Sequence, residues 1–293
     1  MRTFNKIIIF ICIIFVGLFA CDKIEDPFIE YNEKCGDASL PVPIKQILIE
    51  EFTGHQCGYC PEGARTIDLL KELYCDHIIP VAIHAGYFAD VKEYGNEYMY
   101  EYRTYDGDMI DTYFEASSSG VPNGMINRKE FNGDVTLNPA NWAIEVVDLL
   151  FIDIVEMISV EPVMDIKINT SYILETRELE IDVDVIFIES MNTELMLSVY
   201  YVEDSIVSWQ KDYSLPNAEQ DVEFYSHNHV LRDAVNGTWG DQVLSGQVNV
   251  GEVKSKSYSY VIDEEWVVEN SSIVAFVYRS DTKEVLQARQ EKL

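Results

Sequence analysis

The spacing of apolar residues divides the 293-residue chain into distinct stretches. Residues 7–20 form an unbroken apolar run of fourteen. Residues 46–52 (QILIEEF) are apolar on both faces, the pattern of a strand in the middle of a sheet. Residues 61–74 (PEGARTIDLLKELY) place Ile67, Leu70 and Tyr74 at helical spacing, with Ala64, Leu69 and Leu73 alongside. Residues 77–84 (HIIPVAIH) are a second buried strand. Residues 46–84 therefore predict a β-α-β unit with a parallel pair and a right-handed crossover.

Residues 87–119 are rich in Tyr, Asp and Glu and predict a partly helical insertion. Residues 120–128 (GVPNGMINR) are a turn entering a strand, and Asn132-Gly133 is a hairpin signal. Asn138 with Pro139 caps a helix expected to run to about residue 158. After Glu161-Pro162 the period changes to two: Leu179, Ile181, Val183 and Val185 alternate with Glu180, Asp182 and Asp184. Further strand-like runs are 163–170, 194–202, 256–262 and 272–279. Short alternating strands with polar turns predict an antiparallel β-sandwich over residues 161–293.

Charge narrows the partners. With 21 Lys plus Arg against 51 Asp plus Glu, the formal charge is −30, which argues against nucleic acid and against non-specific docking on anionic lipid. Hydrophobic residues at 47% fit a globular chain.

The apolar run is too short to span a bilayer, and Arg2 and Lys6 precede it, as in a secretory signal peptide. Residues 1–20 are expected to be removed, leaving a charge of 19 − 51 = −32. Leu18-Phe19-Ala20-Cys21 resembles a bacterial lipoprotein cleavage box, which implies lipidation of Cys21. A plain secretory signal with an incidental Cys21 is the alternative. Residues 21–44 form a tether in which Asp22, Lys23, Glu25 and Asp26 follow the lipid site. An acidic tether beside a lipidated cysteine resembles the export signals of outer-membrane lipoproteins of some Gram-negative bacteria, which implies an outer-membrane location facing periplasm or cell surface.

Cys35, Cys57, Cys60 and Cys75 then remain in an oxidising compartment, with three possible connectivities. A continuous helix puts Cys75 roughly 22 Å from Cys60, whereas a disulfide needs Cα atoms within about 7 Å. The pairing expected is Cys57–Cys60 with a structural Cys35–Cys75 bond.

Strand, short turn, C-x-x-C-P and helix place a cysteine at a helix N-terminus, where free amides and the helix dipole favour a thiolate. Cys57 is the candidate nucleophile and Cys60 the resolving thiol. His55, two residues earlier, would add to thiolate stability if protonated; otherwise it is an exposed turn residue. This arrangement resembles the thioredoxin superfamily. Glu51 matches its buried acid, which takes the proton of the resolving cysteine, and Val121-Pro122 matches its cis-proline loop, which holds substrate backbone. His84 ends the second parallel strand at the same sheet edge, either packed or functional.

Residues 47–61 (ILIEEFTGHQCGYCP), 81–89 (VAIHAGYFA), 121–128 (VPNGMINR) and 225–232 (YSHNHVLR) together resemble the outer membrane protein 28 family over most of the chain. That resemblance implies a lipoprotein with a thioredoxin-like domain and a β-rich C-terminal domain. The expected fold class is thus an α/β thioredoxin-like domain at residues 45–160, with an insertion at about 87–119, followed by an all-β antiparallel sandwich. Arg128, His227 and His229 are secondary site candidates.

His227-x-His229 on a strand shares a face and invites a metal, but no Cys or further His lies near it in sequence, and a structural role at the domain interface competes. The C-x-x-C lacks the second ligand pair of a zinc site, and residues 105–111 lack calcium-loop spacing. No metal and no cofactor is called for. Two functions follow. One is thiol–disulfide exchange on extended envelope polypeptides. The other is a non-catalytic surface lipoprotein that uses the same scaffold and sandwich to bind a partner or glycan.

Overall fold

The computed structural model describes residues 43–92, 95, 97–131, 133–137 and 160–293, all within the unit Ala38–Leu293. The expected signal peptide, nearly all of the tether and the helix expected over 138–158 lie outside the described residues.

Strand β1 (Ile47–Thr53) is buried along its whole length, as its two apolar faces require. Helix α1 (Cys60–Tyr74) follows, and strand β2 (Ile78–His84) returns parallel to β1 with Thr53 opposite His84. Ile67 and Leu70 of α1 pack on Ile47, Ile49 and Ile78, one face of this pair. Leu48 and Phe52 face the other way, with Val81 and Ile83. The residue 87–119 stretch supplies helix α2 (Tyr105–Phe114), whose first turn is closed by the Gly107 amide donating to Thr104 Oγ1 at 2.9 Å. Strand β3 (Asn123–Ile126) then pairs antiparallel with β1.

The C-terminal strands are β4 (Met164–Ile173), β5 (Glu178–Phe187), β6 (Met191–Glu203), β7 (Ile206–Lys211), β8 (Asp221–His227), β9 (Val230–Ala234), β10 (Asp241–Val248), β11 (Val253–Val261), β12 (Ser271–Arg279) and β13 (Val285–Lys292). The alternation at residues 179–185 folds as β5, with its apolar positions buried. Strands β11, β5 and β4 make a three-stranded sheet whose inner face packs on Leu195, Leu197, Val199 and Tyr201 of β6 and on Ile273, Ala275 and Val277 of β12. The opposite face of β6 and β12 carries Tyr200, Val202, Val274 and Phe276 into the same cluster as Phe52, Ile83 and Ile110.

Strand β9 joins the two halves. It pairs antiparallel with β6 and parallel with β2, where the Ala82 amide donates to His229 O at 2.7 Å. One eight-stranded sheet therefore runs β13-β12-β6-β9-β2-β1-β3, with β10 also on β6.

This corrects the expected fold class. An α/β thioredoxin-like domain followed by an all-β sandwich is not what forms. The described residues are mainly strand with two α-helices, and the architecture is β-sandwich-like. The cause lies at the outer rim of β2. A buried parallel strand cannot leave its amides and carbonyls unpaired, and β9 meets part of that need, so the local β-α-β unit becomes one end of a larger sheet. Among the described residues no helix is long and apolar enough to cross a membrane.

Candidate functional site

Cys57 lies in the turn after β1 and Cys60 opens α1. The two form a disulfide with Cα atoms 5.4 Å apart. Amides in the first helical turn have no intrahelical acceptor. Here the Cys60 amide donates to Cys57 Sγ at 3.1 Å, so this amide and the positive helix end both face the sulfur that would carry a thiolate. Pro61, in the first turn, has no N–H to satisfy. Pairing of Gly124 with Glu51 brings the preceding loop to the same place. Its Val121–Pro122 peptide is cis, and Val121 O lies 3.5 Å from Cys57 Sγ. Both cysteines are only 2% exposed.

Glu51 is buried on β1. Desolvation, with the Asp68 carboxylate adding to it, pushes its pKa up to about 8, so it is mostly protonated at neutral pH. Its Oε1 is buried without a hydrogen-bond partner. Glu51 and Cys60 line a cavity of about 60 Å³ together with Asp68, His84, His227 and His229. That is room for water, which needs roughly 10–15 Å³ per molecule.

The histidines divide into two environments. His55 is fully buried, and its Nε2 donates to Asp90 O at 3.0 Å. Burial lowers its pKa. The imidazole is therefore neutral at neutral pH and is neither a cationic support for the thiolate nor an exposed turn residue. His84 stacks on Tyr102 with ring centroids 4.3 Å apart, and His227 lies 4.6 Å from the same ring. Burial holds both well below the ordinary imidazole range, His227 at about 3. His229 borders the same cavity but pairs with Asp204, Nδ1 to Oδ1 2.9 Å. The two imidazoles of the His-x-His pair thus have different partners, Tyr102 and Asp204. Among the described residues no group of three or more His, Cys, Asp or Glu is arranged to hold a metal ion.

Arg128 sits away from the sulfurs. It makes two 2.7 Å bonds to Glu50, one to Tyr200 OH at 3.1 Å, and lies over the rings of Phe114, Phe276 and Tyr278. It is a buried cation tying β3 and β1 to β6 and β12. Cys75 caps α1 and is disulfide-bonded; Cys21 and Cys35 lie outside the described residues.

The structure adds residues that the sequence did not single out. Strands β7 and β8 form a separate two-stranded ribbon. Gln210 Nε2 donates to Cys57 O at 3.0 Å, the Lys211 amide to His55 O at 2.9 Å, and the Tyr213 amide to Gly58 O at 2.8 Å. Arg65 of α1 pairs with Asp212 at 2.9 Å. These partners are some 150 residues from the C-x-x-C, as with Gln210 and Cys57 at a separation of 153. Local periodicity carries no trace of such contacts.

A family model described as outer membrane protein Omp28 matches residues 108–293. No curated protein matches the chain. Among solved structures, HBP35 of Porphyromonas gingivalis is similar at 16% identity and a TM-score of 0.59, covering 85% of this chain and 76% of its own. A protein of Agrobacterium tumefaciens is similar at 12% identity and a TM-score of 0.50, covering 85% of this chain and 95% of its own. A domain of the outer membrane lipoprotein Omp28 from Porphyromonas gingivalis is 27% identical, covers 45% of this chain and 88% of its own, and has a TM-score of 0.32. The likeness to the first two is one of fold.

Proposed function

The chain belongs to the outer membrane protein Omp28 family, and on that premise we propose that it is a lipoprotein of the outer membrane, held by lipid on Cys21, that exchanges thiols and disulfides with extended envelope polypeptides at Cys57 and Cys60. One observation carries the reading: the Cys57–Cys60 bond lies at the start of α1, with the Cys60 amide 3.1 Å from Cys57 Sγ.

In an exchange, a polypeptide thiolate attacks Cys57 Sγ, and the 57–60 bond breaks with its electron pair on the Cys60 sulfur. Glu51, protonated near neutral pH, borders the same cavity as Cys60 and is the acid at hand for that sulfur. A second polypeptide thiolate then attacks the mixed disulfide and releases Cys57 as a thiolate. The polypeptide has lost two electrons to the cysteine pair. Run in reverse from the dithiol, the same steps reduce a polypeptide disulfide.

Burial favours a second reading. Both cysteines are 2% exposed, which suits a static bond bracing a scaffold that binds a partner. Trapping decides between the two. Cys60→Ala in the full-length chain, expressed in cells and alkylated before lysis, is expected to capture polypeptides on Cys57 by disulfide. The double variant Cys57→Ser/Cys60→Ala is expected to capture none. An empty trap in correctly located, folded protein overturns the exchange reading and leaves the binding one.

A further inference from the structure

The ribbon of β7 and β8 leaves the main sheet between two paired strands. Glu203 of β6 and Val230 of β9 lie opposite each other, and residues 204–229 make the excursion between them. Its base is tied. The His229 amide donates to Asp204 Oδ1 at 2.6 Å and the Ser205 amide to Asn228 Oδ1 at 3.0 Å. Ser205 and His229 both adopt left-handed backbone, φ 61° and 59°. One positive-φ residue therefore stands at each end of the excursion, where a change in backbone angle would swing the whole ribbon.

Beyond that base, the ribbon is held down by a set of polar contacts and a thin layer of side-chain packing. The polar contacts are the bonds of Gln210, Lys211 and Tyr213 to the carbonyls of Cys57, His55 and Gly58, together with the Arg65–Asp212 and Tyr98–Asp221 pairs. Its apolar attachment is Ile206 with Tyr102 and Val230, with ring contacts of Trp209 to Tyr98, Tyr213 to Tyr59, and His227 to Tyr102 and His84. Val207 and Phe224 are exposed instead. Between the ribbon and the sheet lies the cavity that Glu51 and Cys60 line, with Gln210, Tyr225 and His227 of the ribbon on its other wall. Gly58 shows how close the ribbon comes at its tip: a Cβ there would lie 2.4 Å from the Tyr213 ring. A two-stranded ribbon outside the larger sheets, with Val207 and Phe224 facing solvent, is the kind of element that opens locally before the sheets do.

We propose that residues 206–227 form an internal strap that closes over the Cys57–Cys60 pair and must lift from its base at Asp204–Ser205 and Asn228–His229 before any thiol can reach it. The strap's amides at Lys211 and Tyr213 occupy carbonyls of the C-x-x-C loop that an extended polypeptide backbone can also engage. An extended polypeptide is therefore the class of partner that displaces it. The inference rests on the exchange reading for its purpose, but its test does not depend on turnover.

The test is the rate at which dithiothreitol reduces the 57–60 bond in the oxidised full-length chain in detergent, read by alkylation and mass. Each reduction oxidises one dithiothreitol to its cyclic disulfide and leaves two cysteine thiols. In the wild type the reduction rate is expected to depend on urea far more weakly than global unfolding does. Amide exchange at Lys211 and Tyr213 is expected to be faster than in β1 or β6. Tyr213→Ala and Gln210→Ala are expected to speed reduction at least tenfold while circular dichroism stays unchanged. A reduction rate that follows global unfolding in urea overturns the strap, whether or not either variant folds; so does an unchanged rate in both folded variants. Reduction accelerated in the variants together with an empty polypeptide trap sinks the exchange reading alone and leaves the strap standing.

Discussion

Glu51 offers the sharpest physical test. Its carboxyl is fully buried, has an unpartnered oxygen, and shares its surroundings with the Asp68 carboxylate. Folding raises its pKa from 4.5 to about 8. Between those two pH values the folded chain keeps a proton that the unfolded chain has released, so stability falls as pH rises. The contribution is fully present below about pH 4.5 and is lost as pH climbs through about 8. A difference of about 3.5 pH units, at about 1.4 kcal/mol each, corresponds to about 5 kcal/mol. Glu51→Gln keeps the shape and has no proton to lose. Urea unfolding of wild type and variant, disulfide intact, is the assay, run at pH 5, 6.5 and 8. The variant is expected to be about as stable as the wild type at pH 5 and to gain on it by about 1.4 kcal/mol per pH unit above that. Taking the difference between the two proteins cancels the other titrating groups. A difference that stays flat within about 1 kcal/mol from pH 5 to 8 would refute a buried, protonated Glu51.

Two further substitutions probe the strand and the turn that lead into the C-x-x-C. Glu50→Gln leaves the Arg128 guanidinium buried without its counter-charge and is expected to lower unfolding stability by about 3–5 kcal/mol in urea denaturation; an effect under about 1 kcal/mol would mean that the rings and Tyr200 suffice to hold that charge. Gly54→Ala drives a methyl to 2.5 Å from the backbone carbonyl of Phe88, an atom that cannot swing aside. A loss of about 1–3 kcal/mol is expected, with weakened exchange protection at Gln56, whose amide donates to Phe88 O at 3.0 Å.

The parts of the fold that depend on local pattern were legible in the chain. The apolar run before Cys57, the helical spacing after Cys60 and the alternation at 179–185 gave β1, α1 and β5, because each element buries a face that its own periodicity defines. The C-x-x-C placed a disulfide at a helix start because a separation of three residues brings the two Cα atoms within bonding range, here 5.4 Å. What could not be read is what one segment does to another. VLRDA is five residues of unremarkable pattern, yet as β9 it pairs with part of the rim of β2 and carries one eight-stranded sheet across the two expected units. DVEFYSH carries no clean alternation because as β8 it has no core beneath most of it. His55 reads from the sequence as a cationic support for the thiolate or an exposed turn residue, because nothing near it in sequence announces that Tyr98, Tyr102 and Asp90 will enclose it.

The pairing of β9 with both β2 and β6 has a practical corollary for anyone cutting the molecule into pieces. A fragment stopped before β4 would expose the flank of β2 that Val230 and His229 occupy, and a fragment begun there would strip β9 of its other neighbour. Each piece would offer raw hydrogen-bonding rims to solvent and to its own copies, the usual route to insoluble protein. Soluble preparations are to be sought by keeping both flanks of that short strand on one polypeptide.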